Sequence, residues 1–157
     1  MNQQKTSLAE SVWQTLYSIN VSHHIEKKGN LSYLSWCWAW QALMEEFPEA
    51  TYDIDDRIYS DGSMEVHVTI KIQRGDETVS RMMWLPVMDH RNKAIKNPDA
   101  RQISDARMRC LVKCIAMLGL GVYIYAGEDL PQAEKEQQLQ PISEHQQNTI
   151  RDMANES

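Results

Sequence analysis

The chain is short of the features that mark several large protein classes. It has three cysteines in 157 residues, one phenylalanine, and no apolar run near the roughly 18–20 residues that cross a bilayer. Its opening, MNQQKTSLAES, has no apolar signal-peptide core. An odd cysteine count without paired spacing fits a reducing compartment better than a disulfide framework. These absences predict a soluble, cytoplasmic protein. Also missing are the G-x-x-x-x-G-K-[ST] and G-x-G-x-x-G phosphate cradles, an H-E-x-x-H helix, zinc-ligand pair spacing and a nucleophile elbow. No catalytic residue, cofactor or metal is therefore assigned.

What is present is an uneven charge distribution. The net charge of −6 argues against a polyanionic partner until the chain is divided. Residues 81–126 carry Arg81, Arg91, Lys93, Lys96, Arg101, Arg107, Arg109 and Lys113 against three aspartates, a local charge of +5. The segments on either side, 1–80 and 127–157, carry −6 and −5. A basic middle between acidic ends points to a localised polyanion site. The alternative is a solvated basic loop. Five tryptophans and six tyrosines add side chains that combine an apolar body with a polar tip, suited to interfaces and base stacking.

The central stretch is SDARMRCLVKCIAMLGLGVYIYAGEDLP, residues 104–131. Ser104 is a suitable N-cap and Asp105 favours the positive helix end. Met108, Leu111, Val112, Ile115 and Leu118 make an apolar face, and Gly119 and Gly121 stop the helix. Arg109 and Lys113 share the polar face, with Arg107 on another side. Cys110 and Cys114, one turn apart, read as buried small hydrophobes. Val122 to Ala126 reads as a short strand exposing Tyr123 and Tyr125.

Upstream, Ser7 to Glu10 has capping-box spacing, and Leu8, Val12, Leu16 and Ile19 follow one helical face. His23, His24 and Glu26 lack a further ligand at metal-site spacing. Residues 27–30 form a polar turn. A second helix, capped by Ser32 or Ser35 and stopped by Pro48, puts Trp36, Trp40, Leu43, Met44 and Phe47 on one face and Trp38 on another. Trp36, Trp38 and Trp40 fill either a thick core or a subunit interface. Residues 51–59 form a strand with Asp53 and Asp55 on one face. Residues 63–73 alternate with period two, and 77–88 return as the second arm of a hairpin, with Pro86 near its end. The polar, basic connection 89–102 is long enough to be functional.

Three blocks, NLSYLSWCWAW, MMWLPVMD and the 104–131 stretch, resemble in this order the Sak-type single-strand annealing proteins of bacteriophages, in the Rad52-like superfamily. The resemblance covers about Ile19 to Pro131. It implies an α+β fold with a β-β-β-α core, an antiparallel sheet under a long helix, plus N-terminal helices. It also implies assembly into a ring or helical array. The implied activity is single-stranded DNA binding and ATP-independent annealing during recombination, in the cytoplasm of the bacterial host. Carried over to this sequence, the DNA-holding positions are Arg107 and Arg109, separated by Met108, together with Arg81 on the hairpin. Trp84, Tyr123 and Tyr125 are candidates for stacking a base.

The chain is expected to divide into an annealing core at 1–131, a Gln/Glu-rich linker at 132–142 and a short helical tail at 143–157, the last two read from composition and spacing and not from the resemblance. The tail has no stop signal, which suggests truncation or folding on a partner such as a host single-strand binding protein. Two other readings stay open. One is a metal-dependent nuclease or junction resolvase using Asp53, Asp55, Glu128 and Asp129. The other is a replisome assembly module that does not touch DNA.

Overall fold

The computed structural model describes residues 6–28 and 31–126. The expected linker and tail at 132–157, along with Glu128 and Asp129, lie outside the described residues. Helices α1 (Leu8–Tyr17), α2 (Trp36–Glu46) and α3 (Ala100–Met117) accompany two antiparallel sheets. A small sheet pairs β1 (Ile25–Lys28) with β2 (Leu31–Leu34). The larger one is a meander of β3 (Thr51–Ile58), β4 (Met64–Arg74) and β5 (Glu77–Pro86), with β4 in the centre. The chain is thus α+β, and its meander is followed, after the connection 87–99, by α3, which packs on β4 and β5.

The alternation along β4 becomes two faces. Val66, Val68, Ile70 and Ile72 are fully buried beneath α3, each such burial being worth about 1.5–3 kcal/mol. Glu65, His67, Thr69 and Lys71 point to the opposite face. Cross-strand register extends both faces to the edge strands. The row Tyr52–Ile70–Arg81 lies on the helix side, whereas Asp55–His67–Trp84 and Asp53–Thr69–Met82 lie on the outer side.

The two cysteines set the approach of α3. The Cys110 thiol lies 3.3 Å from the Met83 carbonyl oxygen, and the Cys114 thiol lies 3.2 Å from that of Arg81. Both are fully buried. A side chain this small lets the helix backbone sit close over the gap between β4 and β5. Burial pushes the Cys110 thiol up to about 12 and that of Cys114 up to about 11, so both remain protonated at neutral pH.

Several boundaries differ from those expected. Helix α3 begins at Ala100, capped by Asp99. The Asp99 carboxylate accepts from the Gln102 amide at 2.9 Å, and the Gln102 side chain accepts from the Asp99 amide. This reciprocal box outcompetes Ser104, which lies inside the helix. The end of the 89–102 connection is therefore helical. Val122–Tyr125 is a 3₁₀ turn and not a strand. Lys27 and Lys28, read as the start of a polar turn, instead end β1 (Ile25–Lys28), and residues 31–34 form β2 ahead of α2.

In α2 the buried stripe is Ala39, Ala42 and Leu43, continued by Phe47 just beyond it. The two alanines allow close packing, while the indoles flank that stripe. Trp36 is about half exposed (49%), Trp38 stacks on His24 at 4.0 Å, and Trp40 meets Tyr52 edge-on at 5.4 Å. The N-terminal helix follows its sequence reading. Ser7 caps α1 through the Glu10 amide, and Leu8, Val12 and Leu16 are buried.

Gly119 ends α3 with φ +130°, and a Cβ there would lie 2.9 Å from the Trp13 carbonyl oxygen and 3.1 Å from the Tyr17 nitrogen of α1. Backbone atoms cannot swing aside. Gly75, in the β4–β5 turn, has φ +61° with open space around it. Gly75→Ala should therefore cost about 1 kcal/mol from the left-handed backbone alone. Gly119→Ala should cost about 2–3 kcal/mol, strain and contact combined. Equal shifts in denaturant midpoint would contradict the packing of α1 on the end of α3. For the thiols, maleimide at neutral pH should leave Cys110 and Cys114 unmodified in the native protein, while exposed Cys37 reacts. Peptide mapping that finds adducts on Cys110 or Cys114 without denaturant would contradict their burial.

Candidate nucleic-acid interface

The seating of α3 distributes the cations of the basic middle. With Cys110 and Cys114 facing the sheet, residues on one flank of the helix lean toward β3 and those on the other toward β5. Arg107 falls on the β3 flank. There its guanidinium is ion-paired with Asp56, which occupies the helix-facing row of β3 beside Val66. Arg109 falls on the other flank, against the segment that follows β5. Lys113, one turn later on that flank, is half-buried. Arg81 is an exposed residue of β5 on the helix side of the sheet, and its carbonyl is the one the Cys114 thiol approaches. Its guanidinium donates to the Ser80 carbonyl at 2.8 Å.

The connection after β5 folds back as a small hairpin. The Ile95 amide donates to the Val87 carbonyl at 2.9 Å, and Met88 bridges to Ala94. At its tip the Asp89 carboxylate accepts from the amides of Arg91 (2.8 Å) and Lys93 (3.0 Å), which holds that carboxyl below the usual carboxylate range. Asn92 takes φ +62°, a left-handed conformation that asparagine tolerates. Arg91 and Lys93 are thus exposed at the end of a closed turn. Lys96 bridges to Ser63, and the Asn97 amide donates to the Gly62 carbonyl at 2.7 Å. That zipper fixes Lys96 at the β3–β4 turn, near Asp61.

Between this hairpin and the first turns of α3 lies a half-open pocket of about 250 Å³. Met88, Ile95 and Ala106 supply aliphatic walls, and His90, Gln102 and Arg109 supply polar ones. Asp89 and Asp105 also border it. Arg109 is half-buried here, and its guanidinium has no hydrogen bond or ion pair to another described residue.

The remaining candidates are more scattered. Arg101 lies in the first turn of α3 and pairs with Asp105 at 3.5 Å, both highly exposed; such a pair contributes little stability. Trp84 is exposed, but on the outer face of the sheet, away from Arg81, Arg109 and Lys113. Tyr123 meets Tyr17 edge-on at 5.9 Å, and Tyr17 stacks on Trp13. Tyr125 closes the 3₁₀ turn. The structure thus brings Arg81, Arg109 and Lys113 to one flank of α3 and separates Arg107 and Trp84 from it.

Asp53 and Asp55 are exposed on the outer sheet face. Among the described residues, no three His, Cys, Asp or Glu side chains group closely enough to hold a metal ion. No helix among them is long and apolar enough to cross a membrane.

Two features escaped the sequence reading. Asp56 was detectable in principle, since it interrupts the apolar alternation Ile54–x–Asp56–x–Ile58 and so places a carboxylate on the helix-facing row of β3. The pocket was not, because it forms only when the 87–95 hairpin folds back over the start of α3.

No curated protein matches the chain. A family model does, that of the Sak single strand annealing protein, over residues 11–156. The match spans the meander, α3, the basic hairpin and most of both flanking acidic segments, and with nearly the whole sequence covered, this chain belongs to the Sak single-strand annealing protein family.

Proposed function

We propose that the protein binds single-stranded DNA and anneals complementary strands without ATP during phage homologous recombination, working as a homo-oligomeric ring or helical array. The observation that carries the reading is the one-sidedness of α3: Arg109 and Lys113 lie on the flank facing β5, Arg81 lies on β5 itself, and Arg91 and Lys93 cap the adjoining hairpin. Lysine and arginine contacts to phosphates give affinity without sequence preference. That suits a protein which must accept any strand and leave most bases free to pair. A modest site repeated from protomer to protomer gains strength through effective concentration. Trp36, and Met82 with Trp84 on the outer face, are exposed apolar groups available for contacts between copies. The acidic overall charge is compatible with this, because the cationic track is local.

Gel shift and strand annealing without nucleotide, with mass photometry in parallel, test the reading. Arg109→Ala and Lys96→Ala should each weaken oligonucleotide binding. Each should also flatten the salt dependence of log K by about 0.7–1 per lost phosphate contact. Replacing both members of the ion pair, Arg107→Ala with Asp56→Ala, removes no net charge and should leave that slope unchanged. Unchanged slopes for Arg109→Ala and Lys96→Ala would remove both residues from the track. A protein that stays monomeric and fails to shift oligonucleotides would refute the reading itself.

The tail at 143–157 is proposed to recruit a host single-strand binding protein, on the strength of a sequence pattern alone: Ser143 with Gln146 three residues later has capping-box spacing after a Gln-rich linker. Deleting 132–157 should then spare annealing of naked DNA and impair it on protein-coated DNA. Equal loss on both substrates would rule that role out.

A further inference from the structure

The pocket between the 87–95 hairpin and α3 is not needed for phosphate binding, which a flat row of cations accomplishes. We propose that it seats one nucleobase of the bound strand per protomer, with the attached phosphate held at the mouth by Arg109. This inference rests on the single-strand-binding reading and adds a base-holding site to it.

Size narrows the ligand first. Pockets for drug-sized molecules run to about 300–1,000 Å³, and this one is about 250 Å³ and half open. It suits one planar heterocycle with its sugar left outside. Chemistry then decides which end of a nucleotide enters. Met88, Ile95 and Ala106 offer aliphatic surface for the faces of a ring. Asp89 and Asp105 border the same space, and two carboxylates disfavour a phosphate inside it. An uncharged ring is not repelled, and its N–H groups (the ring imide of thymine or the amino groups of the other bases) can donate to such oxygens. Neither carboxylate draws the Arg109 guanidinium away. Asp89 is engaged by the amides of Arg91 and Lys93, and Asp105 pairs with Arg101.

Arg109 supplies the anchor. A half-buried guanidinium with five donors and no partner among the described residues is a ready phosphate ligand. Gln102 lines the wall with its amide oxygen fixed by the Asp99 backbone, which leaves its NH₂ group as a positioned donor. The hairpin that forms the other wall carries Arg91 and Lys93, so a strand following those cations passes the pocket mouth. Aliphatic walls distinguish poorly among bases, in keeping with a site that takes whichever base arrives. One seated base per protomer would pin the strand without occupying the bases that must pair.

The test uses the full chain with two oligonucleotides of equal length, oligo-dT and the same backbone carrying only abasic sites. The wild-type protein should bind the abasic strand at least about tenfold more weakly, with the same salt slope. Ile95→Trp, which fills the pocket, should bind oligo-dT as weakly as the abasic strand. Independently, 5-iodouracil placed in the strand should photocrosslink wild-type protein at the peptide containing Met88–Ile95. Equal binding of the two strands by wild type, an abasic defect that survives in Ile95→Trp, or crosslinks confined to other segments would each overturn the pocket assignment while leaving strand binding intact. Failure of wild type to bind either oligonucleotide would overturn the strand-binding reading instead.

Discussion

The closeness of α3 to the sheet decides where the cations of this chain go. Two thiols, each fully buried and pointing at strand carbonyls, let the helix lie over the β4–β5 gap at a distance larger side chains would not permit. Once that rotation is set, Arg107 has to lean toward β3, and Arg109 and Lys113 toward β5. Arg107 and Arg109 lie two residues, about 200°, apart around the helix, so the seating that neutralises one leaves the other on the opposite flank. The core and the candidate interface therefore depend on the same packing contact.

The β3 flank shows the consequence. Asp56 sits on the helix-facing row of β3, and the Arg107 guanidinium answers it, with the Asp56 Oδ1 and Arg107 Nε atoms each buried without a hydrogen-bond partner among the described residues. Removing one member of such a pair leaves the other charge uncompensated, which ties Arg107 to the fold. On the β5 flank nothing comparable meets Arg109. Two arginines separated by one residue thus occupy different electrostatic environments.

Where the pattern was local, the sequence disclosed the fold. The period of two along β4, the Ser7 cap, the face of α1, the end of α3 at Gly119 and the burial of Cys110 and Cys114 all followed from spacing. The failures were competitions between neighbours. Asp99 with Gln102 made a two-way cap where Ser104 offers a one-way one. The aromatic run at 122–125 looked strand-like but closed a 3₁₀ turn after two positive-φ glycines. In α2 the alternatives were close, because alanine and tryptophan alternate along it, and the alanines went inward. For the candidate site, the identity of the cations was legible while their grouping was not. Nothing in the spacing of residues 81, 107 and 109 says which two share a flank, since that depends on register between a strand and a helix distant in sequence.

On the proposed reading, single-stranded DNA runs along the α3–β5 side and its adjoining hairpin and leaves the outer face of the sheet uncovered. Lysine footprinting by reductive methylation, with and without saturating single-stranded oligonucleotide, tests it most directly. Lys93 and Lys96 lie on the hairpin side, whereas exposed Lys71 lies on the outer face opposite α3. The account predicts that DNA protects Lys93 and Lys96 and leaves Lys71 as reactive as before. Protection of Lys71 with continued modification of Lys93 and Lys96 would contradict it.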